Sequence, residues 1–118
     1  MISCGGSDDD VTVSTNGLFV TVGNNGIILT SSDGTTWDNR ISGTTYNLVG
    51  ITYVNSTFVT VGDNGTILVS SNGTAWTSRT SGTINNLSGV TFGNSTFVMV
   101  GENATILTSS NGIAWTSR

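Results

Sequence analysis

The sequence predicts an all-β fold built from three copies of one four-stranded antiparallel unit. Three observations predict it. First, Trp37, Trp76 and Trp115 stand at a constant step of 39 residues, shared by Gly23, Gly62 and Gly101, by Phe19, Phe58 and Phe97, by Leu29, Leu68 and Leu107, and by Arg40, Arg79 and Arg118. Second, short runs rich in Val, Ile, Thr and Phe alternate with Asn-Gly and Ser-Gly punctuation, with turn signals about every 8–12 residues. Third, the chain has no proline and few charges, and Thr, Ser, Asn and Gly fill most of the remainder. A repeat of this length marks units that bury their apolar faces only by stacking on one another. Four short strands at a step near 40 fit the blade of a β-propeller; a β-solenoid, whose coils are usually shorter, is the runner-up.

The second repeat gives the clearest reading. Leu48–Tyr53 is a strand, and Val54–Thr57 turns the chain. Phe58–Val61 follows, with Val59 and Val61 on one face and Phe58 and Thr60 on the other. Gly62-Asp63-Asn64-Gly65 carries an Asn-Gly pair, whose two central residues accept positive φ in a tight hairpin. Thr66–Val69 is a third strand, Ser71-Asn72-Gly73-Thr74 a second Asn-Gly turn, and Ala75–Arg79 the fourth strand. The third repeat predicts strands over Leu87–Phe92, Phe97–Val100, Thr105–Leu107 and Ala114–Ser117. Ala104 stands where the other copies have Gly26 and Gly65, so a positive φ there costs stability or forces a different turn. The first repeat is worn at its start: Thr12 and Ser14 fall where the others have Ile51 and Val90, and Tyr53 and Phe92. Its first strand is expected to be the weakest. From Phe19 it conforms, through Gly23-Asn24-Asn25-Gly26 and Ile27–Thr30 to Trp37. The expected organisation is a tail over residues 1–10 and three blades over 11–43, 44–82 and 83–118.

At 118 residues the chain suits one modest domain, and 36% hydrophobic residues are enough for a core when they recur regularly. The net charge of −4, with Asp8, Asp9 and Asp10 adjacent, offers nothing to a phosphate backbone, which excludes nucleic acid as a partner. No apolar run approaches the roughly 20 residues of a membrane span. The single cysteine, Cys4, excludes an intrachain disulfide. It is either a free thiol in a tail or a lipidation site. The segment Met1-Ile2-Ser3-Cys4-Gly5-Gly6-Ser7-Asp8-Asp9-Asp10 resembles the cleavage end of a bacterial lipoprotein signal. That resemblance implies an extracytoplasmic protein, secreted or held at the outer membrane, with the basic and apolar parts of the signal lying upstream of Met1.

The segments Ser31–Trp37, Ser70–Trp76 and Ser109–Trp115 resemble the Asp-box, or bacterial neuraminidase repeat. In that family the box is a hairpin between the third and fourth strands of a propeller blade. The run Val61–Leu68 is similar to the repeat of photosystem II stability/assembly-factor-type propellers. Together these resemblances cover nearly everything after residue 11. One departure stands out: the Asp-box aspartate normally lies two residues before the glycine, where this chain has Ser32, Ser71 and Ser110. The motif residues are Gly34 and Trp37, Gly73 and Trp76, and Gly112 and Trp115. Each Gly permits a tight turn, and the Ser and Asx side chains close it on local amides. Each Trp fills the gap between adjacent blades; the alternative is a platform for stacking sugar rings.

Nothing breaks the repeat as a catalytic site must. There is no histidine, and no cysteine within the repeats. Sialidases of this fold gather arginines around a substrate carboxylate, whereas Arg40, Arg79 and Arg118 occupy equivalent positions one blade apart. They are expected to cap fourth strands or pair with a neighbouring blade. The carboxylates Asp33, Asp38, Asp63 and Glu102 are scattered, and Asp63-Asn64-Gly65 falls short of a calcium loop. No catalytic residue, metal or cofactor is expected.

Propellers have about 4–8 blades, so three form an arc with two exposed apolar faces. The expected resolution is a homodimer closing a six-bladed ring, or further repeats in a longer chain. The favoured reading is a non-catalytic module for protein binding or assembly, with Thr45, Tyr46 and Asn47, and Ile84, Asn85 and Asn86, as binding loops. The rivals are a carbohydrate-binding or glycosidase-associated module, and a fragment of a longer propeller with no function of its own.

Overall fold

A computed structural model describes residues 10–118. The residues form three four-stranded antiparallel sheets, each a meander in chain order. The first holds β1 (Asp10–Val13), β2 (Phe19–Val22), β3 (Ile28–Ser31) and β4 (Asp38–Arg40); the second β5 (Leu48–Val54), β6 (Thr57–Gly62), β7 (Ile67–Ser70) and β8 (Thr77–Arg79); the third β9 (Leu87–Gly93), β10 (Thr96–Gly101), β11 (Thr105–Ser109) and β12 (Thr116–Ser117). The sheets meet through their first strands, β1 against β5 and β5 against β9, with the later strands fanning outward. These are three blades of a β-propeller.

The core lies between the sheets. At the first seam Val20, Val22 and Ile28 meet Leu48, Ile51, Phe58 and Leu68. At the second, Val59, Val61, Ile67 and Val69 meet Leu87, Phe97, Met99 and Leu107. The alternation along β6 explains how one strand serves both seams: Phe58 points back to the first blade, and Val59 and Val61 point forward to the third. Tyr53, Phe58 and Trp76 form a ring stack, with centroids 4.4 and 6.0 Å apart, and Phe92, Phe97 and Trp115 repeat it at 4.8 and 6.0 Å.

The first strand corrects the sequence reading. Val11 pairs with Thr21 and Val13 with Phe19, just as Ile51 pairs with Thr60 and Tyr53 with Phe58. Val11 and Val13, not Thr12 and Ser14, therefore take the places of Ile51 and Tyr53. The cause is the first hairpin, which carries an extra residue: the loop between Val13 and Phe19 is held by Ser14 N–H to Leu18 O (2.9 Å) and Leu18 N–H to Ser14 Oγ (3.0 Å). A one-residue slip exchanges the faces of a strand. The apolar face of the first blade is thus intact.

The turns match expectation in part. Positive φ at two successive residues occurs at Asn64-Gly65, as the Asn-Gly pair predicts, and likewise at Asn25-Gly26, Asn103-Ala104, Asn55-Ser56 and Asn94-Ser95, while at Asn72-Gly73 only the glycine adopts it. The connections between second and third strands are short 3-10 turns, with Asn25, Asn64 and Asn103 at φ 61, 58 and 56. Ala104 keeps the turn of its counterparts, at φ 57. The fourth strands are shorter than predicted, because each Trp precedes its strand and packs over the turn.

Candidate interaction surfaces

The hairpins between third and fourth strands are built alike. In the first, the amides of Asp33 and Gly34 donate to Ser31 Oγ (3.2 and 2.8 Å), and those of Thr35 and Thr36 donate to Asp33 Oδ1 (2.8 and 2.9 Å). Ser70 with Asn72, and Ser109 with Asn111, repeat the scheme. An amide oxygen thus replaces the carboxylate without loss. The donors hold the Asp33 carboxyl below its ordinary value of 3.8, chiefly through the amides of Thr36 and Thr35 and the Ser31 hydroxyl. The indole N–H groups of Trp37 and Trp76 donate to the carbonyls of Gly34 and Gly73 (3.3 and 2.9 Å). Gly73 and Gly112 are buried at the seams, whereas Gly34 is exposed.

The arginines pack within their own blades. Arg40 Nε donates to Thr30 Oγ1 and Arg118 Nε to Thr108 Oγ1, both at 3.0 Å. Arg40 also lies 3.7 Å from Asp38. Val69 occupies the corresponding place in the second blade, and the buried Nε of Arg79 has no partner there. Three outer strands hold these guanidinium groups apart, so they do not converge on one ligand. No group of three or more metal-ligating side chains occurs among the described residues.

The linker loops divide into two roles. Asn47 and Asn86 stitch blades together: the amide of Asn25 donates to Asn47 Oδ1 (2.9 Å), and the amide of Asn64 to Asn86 Oδ1 (2.8 Å). Asn47 Nδ2 also donates to Asp63 Oδ2 (3.2 Å), and Asn85 Nδ2 to Thr105 Oγ1 (2.9 Å). Tyr46 and Ile84 are exposed. Thr45 and Tyr46 line an open groove of about 860 Å³ beside the Asn24–Gly26 turn. Cys4 lies outside the described residues.

The two exposed end faces expected from the sequence are made of residues that the sequence reading did not assign to them. On the third blade Val98 is half-buried, Val100 is 45% exposed and Ile106 is 40% exposed, although their counterparts Val20 and Val59, Val22 and Val61, and Ile28 and Ile67 are fully buried. On the first blade Val11, Val13 and Phe19 are exposed at 57, 47 and 37%, where Ile51, Phe58 and Phe97 are buried. Each face repeats one side of the seams within the chain. The periodic Phe, Val and Ile positions were the available signal; the slip in β1 concealed Val11 and Val13.

The geometry defines a partial β-propeller with both end faces open. Comparison with known folds agrees. The chain is similar to a structure described as YCF48 bound to D1 peptide, at 18% identity and a TM-score of 0.75, over 92% of this chain and 38% of that one. It is also similar to YCF48 from Cyanidioschyzon merolae, at 22% identity and a TM-score of 0.74, over 92% of this chain and 35% of that one. The chain therefore spans little more than a third of either neighbour. No protein-family description matches it, and no curated protein does.

Proposed function

We propose that this chain is a non-catalytic propeller module for protein binding or assembly, and that it acts as a homodimer closing a six-bladed ring. One observation carries the proposal: the open face of the third blade and that of the first are the two sides of a junction the chain already makes twice. Burying Val11, Val13, Phe19, Val98, Val100 and Ile106 removes a set of large apolar side chains from water, which drives association. Two such junctions, related by a two-fold axis, complete the ring. A protein partner fits the fold as well, since a propeller of this kind is described with a bound peptide. Tyr46 and Ile84, exposed on the linker loops, are the side chains we assign to contact it. The assignment outside the cytoplasm, with Cys4 as a lipid anchor, rests on the resemblance of residues 1–10 to a lipoprotein cleavage end. The packing of the indoles against their own turns supports a structural role for the tryptophans.

A second reading, further blades on the same chain, is favoured by the share of the neighbours that the chain spans. Sedimentation velocity from submicromolar to tens of micromolar tests the first. The expected result is a reversible shift from 12.2 kDa to twice that mass. A folded species of constant monomeric mass over the whole range would refute the dimer.

A further inference from the structure

The open face of the third blade differs from the two buried seams at one position. Within the chain, each linker to the next blade crosses the 3-10 turn of the blade before it. A Cβ on Gly26 would stand 2.1 Å from Thr44 O, and one on Gly65 would stand 1.9 Å from Thr83 O. Both oxygens are backbone carbonyls of those linkers, so neither contact is relieved by turning a side chain. Glycine is required there twice over, by the crossing strand and by φ of +72 and +66. In the third blade the same turn carries Ala104 at φ 57. Its methyl group fills the space a crossing linker would use.

We infer that the Val98, Val100 and Ile106 face is a seam between chains: it receives the first blade of a second copy, and not a further blade joined in line through a linker over residue 104. The inference rests on the dimer reading above and narrows it. Any blade following Arg118 would have to arrive by a different path from the second and third. A second copy faces no such demand, because no linker ties its β1 to Arg118. The opposing surface fits this partner. Exposed Gly34 stands where Gly73 meets Leu18 and Val20 across the first seam, and the corresponding residues of the third blade are Thr96 and Val98. Val11, Val13 and Phe19 complete the surface that Val98, Val100 and Ile106 would meet. Two linker hydrogen bonds of the covalent seams, Leu48 N–H to Gly23 O (3.1 Å) and Asn25 N–H to Asn47 Oδ1, depend on a linker lying over the turn. Asn103 instead turns its side-chain amide back to Asn85 Oδ1 (3.3 Å).

Two sets of proteins test this. The first is the unlinked full chain and its Ala104→Gly variant, compared by sedimentation. The second is a pair of tandems in which residues 41–47 join Arg118 of one copy to residue 8 of the next, the spacing that separates Arg40 from Ile51. One tandem keeps Ala104 in its first copy, and the other carries Ala104→Gly there. Hydrogen exchange is read at β10 and β11 of that copy and of the unlinked chains. The expected result is dimerisation of both unlinked chains with constants within about threefold, and a gain in protection on Ala104→Gly at least tenfold larger in the tandem than in the unlinked chain, where the substitution relieves only the φ of 57. A gain no larger in the tandem than in the unlinked chain, with the unlinked chain still dimeric, would overturn this inference and leave the dimer standing. An unlinked chain that stays monomeric would overturn both.

Discussion

Gly73→Ala probes the first seam directly. A Cβ there would lie 2.7 Å from Leu18 Cδ2, 3.3 Å from Val20 Cγ2 and 3.4 Å from Phe58 Cε2. Its φ of +80 adds the cost of a left-handed residue. That backbone term is about 1–2 kcal/mol. Forcing a methyl group into a filled seam adds about 1–3 kcal/mol, since Leu18 must leave its rotamer or the blades must part. The expected loss is therefore about 2–5 kcal/mol. Two companion variants separate the terms. Gly34→Ala has nearly the same φ, +79, and its nearest neighbour is Phe19 Cε2 at 3.9 Å. Gly112→Ala, at φ +76, meets nothing nearer than Phe97 Cε2 at 3.4 Å. Both should lose the backbone term alone, about 1–2 kcal/mol. Urea unfolding followed by tryptophan fluorescence, at a protein concentration too low for association, measures all three. Should Gly73→Ala match Gly34→Ala within about 0.5 kcal/mol, the seam would not be packed as described.

Three further outcomes are expected. Val69→Thr supplies the hydroxyl that Arg40 and Arg118 find on Thr30 and Thr108; it should satisfy Arg79 Nε and raise stability by about 1 kcal/mol in urea unfolding, whereas a loss would contradict this origin of the orphan. Ser56→Gly and Ser95→Gly relieve φ of 57 and 56, and each should add about 1 kcal/mol, read as a higher urea midpoint with unchanged slope; unchanged midpoints would refute the strain. The Asp33 carboxyl is lowered in the folded chain, so its contribution is present above 3.8 and fades as pH falls through the lower folded value. Asp33→Asn keeps the cap, as Asn72 and Asn111 do, and should flatten the acid limb of the stability profile between 3.8 and that folded value; an unchanged limb would assign that limb to other carboxylates.

The sequence showed the architecture because propeller blades announce themselves in register. Gly, Phe, Leu and Trp recur wherever the same packing recurs, and the strands fell within a few residues of the predicted ones. What it hid depends on contacts between blades. The slip in β1 came from one extra residue in the Ser14–Leu18 loop, which a constant step of 39 cannot reveal. The sequence marked Ala104 as a departure, but the reason for glycine at positions 26 and 65 lies in carbonyls 18 residues onward, at Thr44 and Thr83. Asn47 and Asn86 read as variable loop residues; their bonds to the turns of the preceding blades are visible only once the blades are side by side.

The central claim is that each blade is stable only when a like blade covers it. Hydrogen exchange across a dilution series tests this most directly. The covered strands β6 and β7 should be the most protected at every concentration, while protection of β2, β3, β10 and β11 rises as the chain associates. Equal protection of all three blades, independent of concentration, would contradict the account.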